Sequence, residues 1–296
     1  MAAHLTRIKA RLSIHAHRKV RGLLEGEYAA VHVGRGIDFN DLREYVRGDD
    51  VKDIDWKASA RSRQLLVKRY VAERKHTVLL CVSTGRSMAA MNDAAVSKRE
   101  LTVFVAGLMG LLAVQHGDLV SLVRGDAESV HAEPPKGGEL HLERLLGKVH
   151  DAIRPDGAPT DLAALLRYVA RTVRRRTILV VVCDDTVLPT ESADLLRRLT
   201  VQHEVLLLTI GDLDPTLPAV AGRRLVDVDT AAEVPGWLRH DRRLRRELAE
   251  LVGQEEQQLR RRLDQLGVVH ERVRDTETAV SAVFRLLERQ RHARRR

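Results

Sequence analysis

His76–Ser83, HTVLLCVS, and Thr177–Asp185, TILVVVCDD, are the stretches whose reading decides the fold. Both are unbroken apolar runs of strand length that lack the alternation of a strand with one wet face, so both read as strands covered on two sides. Glu204–Gly211, EVLLLTIG, is a third run of the same kind. Helical patterns separate them. Ser97 to Gln115 is apolar nearly all round in its second half, His141 to Ile153 is amphipathic, and Glu191 to Val201 is a shorter helix. After the RPDGAP turn another helix opens at a cap, Thr160 or Asp161, and continues to Arg175. Strands alternating with helices predict an α/β protein with a doubly wound, mainly parallel, Rossmann-like sheet, whose sites lie at the carboxyl ends of the strands.

Working outward, Asp118–Gly125, DLVSLVRG, reads as a strand, and Glu128–Pro135, ESVHAEPP, as a short one that its two prolines stop. Arg223–Asp229, RRLVDVD, reads as a short edge strand and Val268–Arg274, VVHERVR, as one more strand. Trp237 to Leu266 is a long charged helical stretch, and Thr276 to Arg289 a closing helix. Leu5, Ile8, Leu12, Val20, Leu23 and Leu24 suit one or two short amphipathic helices near the start. Three regions follow: an N-terminal extension over 1–75, the α/β domain over 76–230, and a helical C-terminal region with a basic tail over 231–296.

With 296 residues and 44% hydrophobic side chains, the chain can bury a substantial core. The net charge of +9 is concentrated in Arg174–Arg176, Arg260–Arg262 and the terminal RQRHARRR, a pattern of basic runs and tail rather than of a nucleic-acid site. Aromatic residues are 3% of the chain, too few for base-stacking platforms. The two cysteines, Cys81 and Cys183, sit inside apolar strands and read as core residues of a reducing compartment. The first residues lack the apolar core of a signal peptide, and Leu101–Val114 is too short to span a bilayer, so a cytoplasmic protein is expected.

One stretch is unlike the rest. From Gly34 to Glu73, acids (Asp38, Asp41, Glu44, Asp49, Asp50, Asp53, Asp55) and bases (Arg43, Arg47, Lys52, Lys57, Arg61, Arg63, Lys68, Arg69) interleave with Ile37, Phe39, Leu42, Tyr45, Ile54 and Trp56. Both signs at this density suggest an ion-pair network, and the tryptophan at its centre suggests packing against something. Arg43, Glu44, Asp49, Asp50, Asp55, Trp56, Lys57 and Arg61 are therefore candidates either for docking a partner or for locking the segment onto the core. A different chemistry is conceivable for the same letters. Asp49/Asp50 followed by Asp55 and Lys57 has the acid, then acid-x-Lys order of a metal-dependent nuclease.

The strand ends supply a second constellation. Ser83-Thr84-Gly85-Arg86-Ser87 follows the first strand and Asp184-Asp185 follows the second, with Thr160 on a third loop. Such residues are helix caps in the ordinary case, and hard oxygen ligands in a metal site.

The runs GRGIDFNDLREYVRGDD, IDWKASAR and VKRYVAER, followed by the strand and STGRSM, closely resemble the bacterial family known as domain of unknown function fifty-eight, which has a von Willebrand factor A-like core. The resemblance implies a metal-ion-dependent adhesion site built on an Asp-x-Ser-x-Ser loop, a threonine and an aspartate. It also implies association with MoxR-type AAA+ ATPases, and no enzymatic activity is established for the family. Carried onto this sequence, Ser87 matches the last serine, Thr160 the threonine and Asp184 the aspartate. Ser83 stands in place of the leading aspartate and Gly85 in place of the first serine. The site is degenerate: Ser83, Ser87, Thr160 and Asp184 would hold a magnesium, calcium or manganese ion weakly, or none. The expectation is a non-enzymatic protein-interaction module that partners a MoxR-type ATPase.

Overall fold

A computed structural model of the chain describes residues 3–15, 24, 26, 28, 41–46, 49, 51, 54–62, 64–69, 75–92, 95–185, 188–216, 218–220, 222–237 and 241–293. Its elements, in chain order, are α1 (Ala3–His15), β1 (Asp41–Glu44), α2 (Trp56–Ser62), β2 (Leu66–Arg69), β3 (Thr77–Ser83), α3 (Lys98–Gln115), β4 (Leu119–Gly125), β5 (Val130–Lys136), α4 (Glu139–Ala152), α5 (Leu162–Thr172), β6 (Ile178–Asp184), α6 (Thr190–Gln202), β7 (Glu204–Ile210), α7 (Arg242–Gln265), β8 (Val269–Val273) and α8 (Ala279–Ala293).

Six strands form one sheet in the order β5-β4-β3-β6-β7-β8. All neighbours are parallel except β4 and β5. Counted from β3, that is the 3-2-1-4-5-6 order of a doubly wound Rossmann-type sheet, as the apolar runs predicted. The pleat sorts each buried strand between two cores. Val78, Leu80 and Val82 of β3 and Val180 and Val182 of β6 pack with α1, α3, α4 and α8. Leu79, Cys81, Leu179, Val181 and Cys183 face the opposite core with α5, α6 and the end of α7. Burying each such side chain stabilises the fold by roughly 1.5–3 kcal/mol.

The helix caps fall where their chemistry requires. Ser97 accepts from the Glu100 amide to start α3, Asp161 accepts from Ala164 to start α5, and Asp241 accepts from Arg243 and Leu244 to start α7. Of the two caps open for α5, Asp161 takes the role. Helix α3 is buried on almost every side, and Gly107 in its middle lets Ile8 of α1 and Leu146 of α4 approach its backbone. The carboxylate of Glu143 in α4 accepts the amides of His4 and Leu5 at 3.0 and 2.8 Å, tying α1 to the domain. Val20 and Leu23 lie outside the described residues.

Two strand expectations need correcting. β5 is not stopped by its prolines but runs through Pro134 and Pro135 to Lys136. It is an edge strand, and the ladder to β4 shifts register between Val120 and Leu122, opposite the prolines, so their missing N–H groups cost no bond. Arg223–Asp229 is not an edge strand of the sheet. It makes only an isolated bridge, Val226 to Glu233, and the edge beside β7 is occupied by β8. Among the described residues, no helix is long and apolar enough to cross a membrane.

Candidate functional site

At the carboxyl end of the sheet, three loops bring the predicted residues together. Ser87, in a short 3-10 turn after β3, donates its hydroxyl proton to Asp184 Oδ2 at 2.5 Å. The Thr160 hydroxyl lies 2.5 Å from Ser87 Oγ. With the Ser87 proton given to the carboxylate, Thr160 is left to donate. The loop carrying Thr160 is pinned by the Arg86 amide, which donates to the Ala158 carbonyl at 2.9 Å. These groups border a cavity of about 410 Å³ whose wall also includes Arg86, Ser192 and Thr209.

This donor set does not fit a hard divalent cation. Ser83 is fully buried and neutral, and its Oγ has no hydrogen-bond partner, so the position that would supply an anionic ligand offers only an enclosed hydroxyl. Position 85 has no room for a side chain. A Cβ there would stand 2.5 Å from Thr160 Cα and 2.6 Å from its amide nitrogen, so the space that a first-loop serine would need is filled by the Thr160 backbone. Asp185, the second carboxylate, is paired with Arg272 Nε at 2.8 Å. One carboxylate and two hydroxyls already bonded to each other repay little of the dehydration of a hard cation. The cluster instead holds three loops in one arrangement.

Beside it lies a charged network that the sequence reading missed. Lys98, the first residue of α3, is fully buried, and its ammonium meets Asp212 Oδ1 at 2.5 Å. Arg272 on β8 joins Asp185 to Glu256 of α7. Burial raises the Asp185 carboxyl above its ordinary value, and Arg272 works against that rise. His270 on β8 shares a 2.8 Å hydrogen bond with Thr209, and burial lowers its pKa from 6.5 to about 4. A lysine opening a helix looks solvated in sequence, and no local signal reveals that the β7 end closes over it.

The mixed-charge segment forms a separate small unit. β1 and β2 pair antiparallel from Asp41 opposite Arg69 to Glu44 opposite Leu66. Ile54 bridges to Val67, and both are buried. Asp55 caps α2, its Oδ1 accepting from the Lys57 and Ala58 amides at 3.1 and 3.0 Å. Asp49 Oδ2 accepts from the Val46 amide at 3.0 Å. The Ser59 hydroxyl, bonded to the Asp55 carbonyl, accepts from the Leu66 amide and so joins α2 to β2. Asp50 lies outside the described residues, and of Arg43 only the backbone is described, opposite Val67.

Trp56 overturns the expectation of packing. It is 62% exposed, and Val46, Val51 and Leu65 are exposed around it. The anchors are Ile54 and Val67, whereas Trp56, Lys57 and Arg61 project from α2 into solvent. Among the described residues, neither Lys57 nor Arg61 has an ion-pair partner. Glu44 is exposed as well.

A doubly wound sheet with a closed strand-end cluster, preceded by a motif unit carrying an exposed tryptophan, defines the class. The family model for "Protein of unknown function DUF58" matches residues 41–258, most of the chain, and the chain belongs to that family. An uncharacterized protein of Mycobacterium bovis is 27% identical over 221 residues, covering 74% of this chain and 69% of its own, and one of Mycobacterium tuberculosis matches equally. Among solved structures, the chain is similar to an aerotolerance-related membrane protein from Bacteroides fragilis, with 16% identity, 72% of this chain and 99% of that chain covered, and a TM-score of 0.42. It is also similar to BatB from Bacteroides thetaiotaomicron, with 13% identity, 73% and 98% covered, and a TM-score of 0.45. A von Willebrand factor type A protein from Catenulispora acidiphila gives 12% identity, 77% and 44% covered, and a TM-score of 0.38.

Proposed function

We propose that this protein is a non-enzymatic interaction module whose partner is a MoxR-type AAA+ ATPase, and that it acts without a metal ion. The observation that carries the reading is the exposure of Trp56 at the centre of the family motif. A large aromatic held in solvent by a capped helix forfeits the burial it would have in a core, and interfaces are enriched in such residues. The strand-end cluster supports the same reading from the other side. Ser87, Thr160 and Asp184 are bonded to one another, which ties three loops together in one arrangement. The choice of ATPase rests on the resemblance of the motif.

The nuclease alternative, with Asp49/Asp50, Asp55 and Lys57, finds no such support. The described carboxylates, Asp49 and Asp55, are bonded to backbone amides of their own segment. Co-purification with the ATPase encoded in the same genome tests the proposal. The wild-type chain is expected to retain it, and Trp56→Ala and Arg61→Glu to lose it. Retention by both variants would refute docking through this segment.

A further inference from the structure

The two signs of charge in the motif unit are used differently. Two of its described acids bond to the chain itself, Asp55 holding the start of α2 and Asp49 the Val46 amide, while Glu44 on β1 is exposed. Its described cations on α2 turn outward. Lys57 and Arg61 lie one turn apart on a helix with no acidic residue, both exposed, beside Trp56. The Tyr45 amide bonds to the Leu65 carbonyl, and the Asp55 amide to that of Leu66, which draws Val46, Leu65 and Trp56 into one neighbourhood. A segment of mixed charge in sequence thus presents a basic, aromatic face on α2 in space.

From this segregation we infer that the face docks a protein surface of one kind: an apolar pocket that takes the Trp56 ring, rimmed by Asp and Glu carboxylates that meet Lys57 and Arg61. Trp and Arg are the side chains that most often dominate such interfaces, and a ring of aliphatic contacts excludes water around them. Val46 and Leu65, exposed in the same neighbourhood, supply aliphatic contacts of that kind. The inference deepens the interaction-module reading and does not depend on which protein is the partner.

The test places a benzophenone photo-crosslinking side chain at position 56 of the full chain in its native host, with the same side chain at position 237, also an exposed tryptophan, as control. The expected result is a protein adduct specific to position 56. Its crosslinked peptide should lie on a surface bearing Asp and Glu, and the yield should fall about tenfold when Lys57→Glu and Arg61→Glu are added, as for loss of close interfacial charge pairs. An adduct to RNA or lipid, no adduct, or a yield indifferent to charge reversal would overturn the inference. An acidic protein other than the ATPase would leave it standing while removing the proposed partner. An ATPase that binds without crosslinking to position 56 would do the reverse.

Discussion

Restoring a side chain at position 85 is the perturbation whose outcome follows most directly from the geometry. Gly85 has φ −65° and ψ 167°, a conformation that alanine adopts without strain, so Gly85→Ala carries no backbone penalty of its own. The cost is steric. The new Cβ would meet Thr160 Cα and Oγ1 at 2.5 Å and its amide nitrogen at 2.6 Å. Two of those three atoms, Cα and the amide nitrogen, belong to the backbone and must move with their loop. That movement stretches the bond from the Arg86 amide to Ala158 and the Ser87–Thr160 contact. Overpacking of this kind costs about 1–3 kcal/mol, and at about 2 °C per kcal/mol for a chain of this size the melting temperature should fall by roughly 2–6 °C. Gly85→Ser should fall at least as far and should gain no response to magnesium, calcium or manganese. Thermal unfolding by circular dichroism, repeated with each ion, reads both effects. An unchanged melting temperature in Gly85→Ala would refute the seating of Thr160 against Gly85, and a metal-dependent rise in Gly85→Ser would refute the closed site.

Further outcomes follow from the same structure. Lys98 is 0% and Asp212 61% exposed in their side chains, so the pair should respond unequally: Asp212→Asn leaves a buried ammonium with only the Asp185 charge nearby and should destabilise more than Lys98→Met, as urea unfolding would show. His270 titrates at about 4 in the folded chain and at the ordinary 6.5 when unfolded, so the unfolded chain binds the extra proton between those values. Stability from this group is therefore complete above about pH 6.5 and is lost as pH falls towards 4, a change on the order of 3 kcal/mol at about 1.4 kcal/mol per pKa unit that His270→Gln should flatten. Asp55→Ala should cost about 1 kcal/mol by uncapping α2, as urea unfolding would show.

The central sheet was legible because its strands carry their message locally. Val78–Val82, Leu179–Cys183 and Val205–Leu208 are apolar on both faces, and only a two-sided core accommodates them. Ser97 and Asp241 mark helix starts by side-chain chemistry that acts within three residues. What failed depended on neighbours distant in sequence. Pro134 and Pro135 look like a stop until β5 is seen to be an edge with a register shift. Trp56 looks like an anchor because a single aromatic does not say which way its helix faces. At the strand ends, Ser87 bonds to Thr160 and Asp184. The absence of a side chain at Gly85 read only as a missing ligand, yet it is what allows Thr160 to close the site.

The proposed docking through Trp56 is tested most directly by titrating a MoxR-type AAA+ ATPase into the wild-type chain and into Trp56→Ala by isothermal calorimetry. Because Trp56 is exposed and Asp55 still caps α2, the variant should unfold at the wild-type temperature. Its affinity should fall about thirtyfold or more, the factor for about 2 kcal/mol at an interface hot spot. Equal affinity of the two chains for the ATPase would contradict the account.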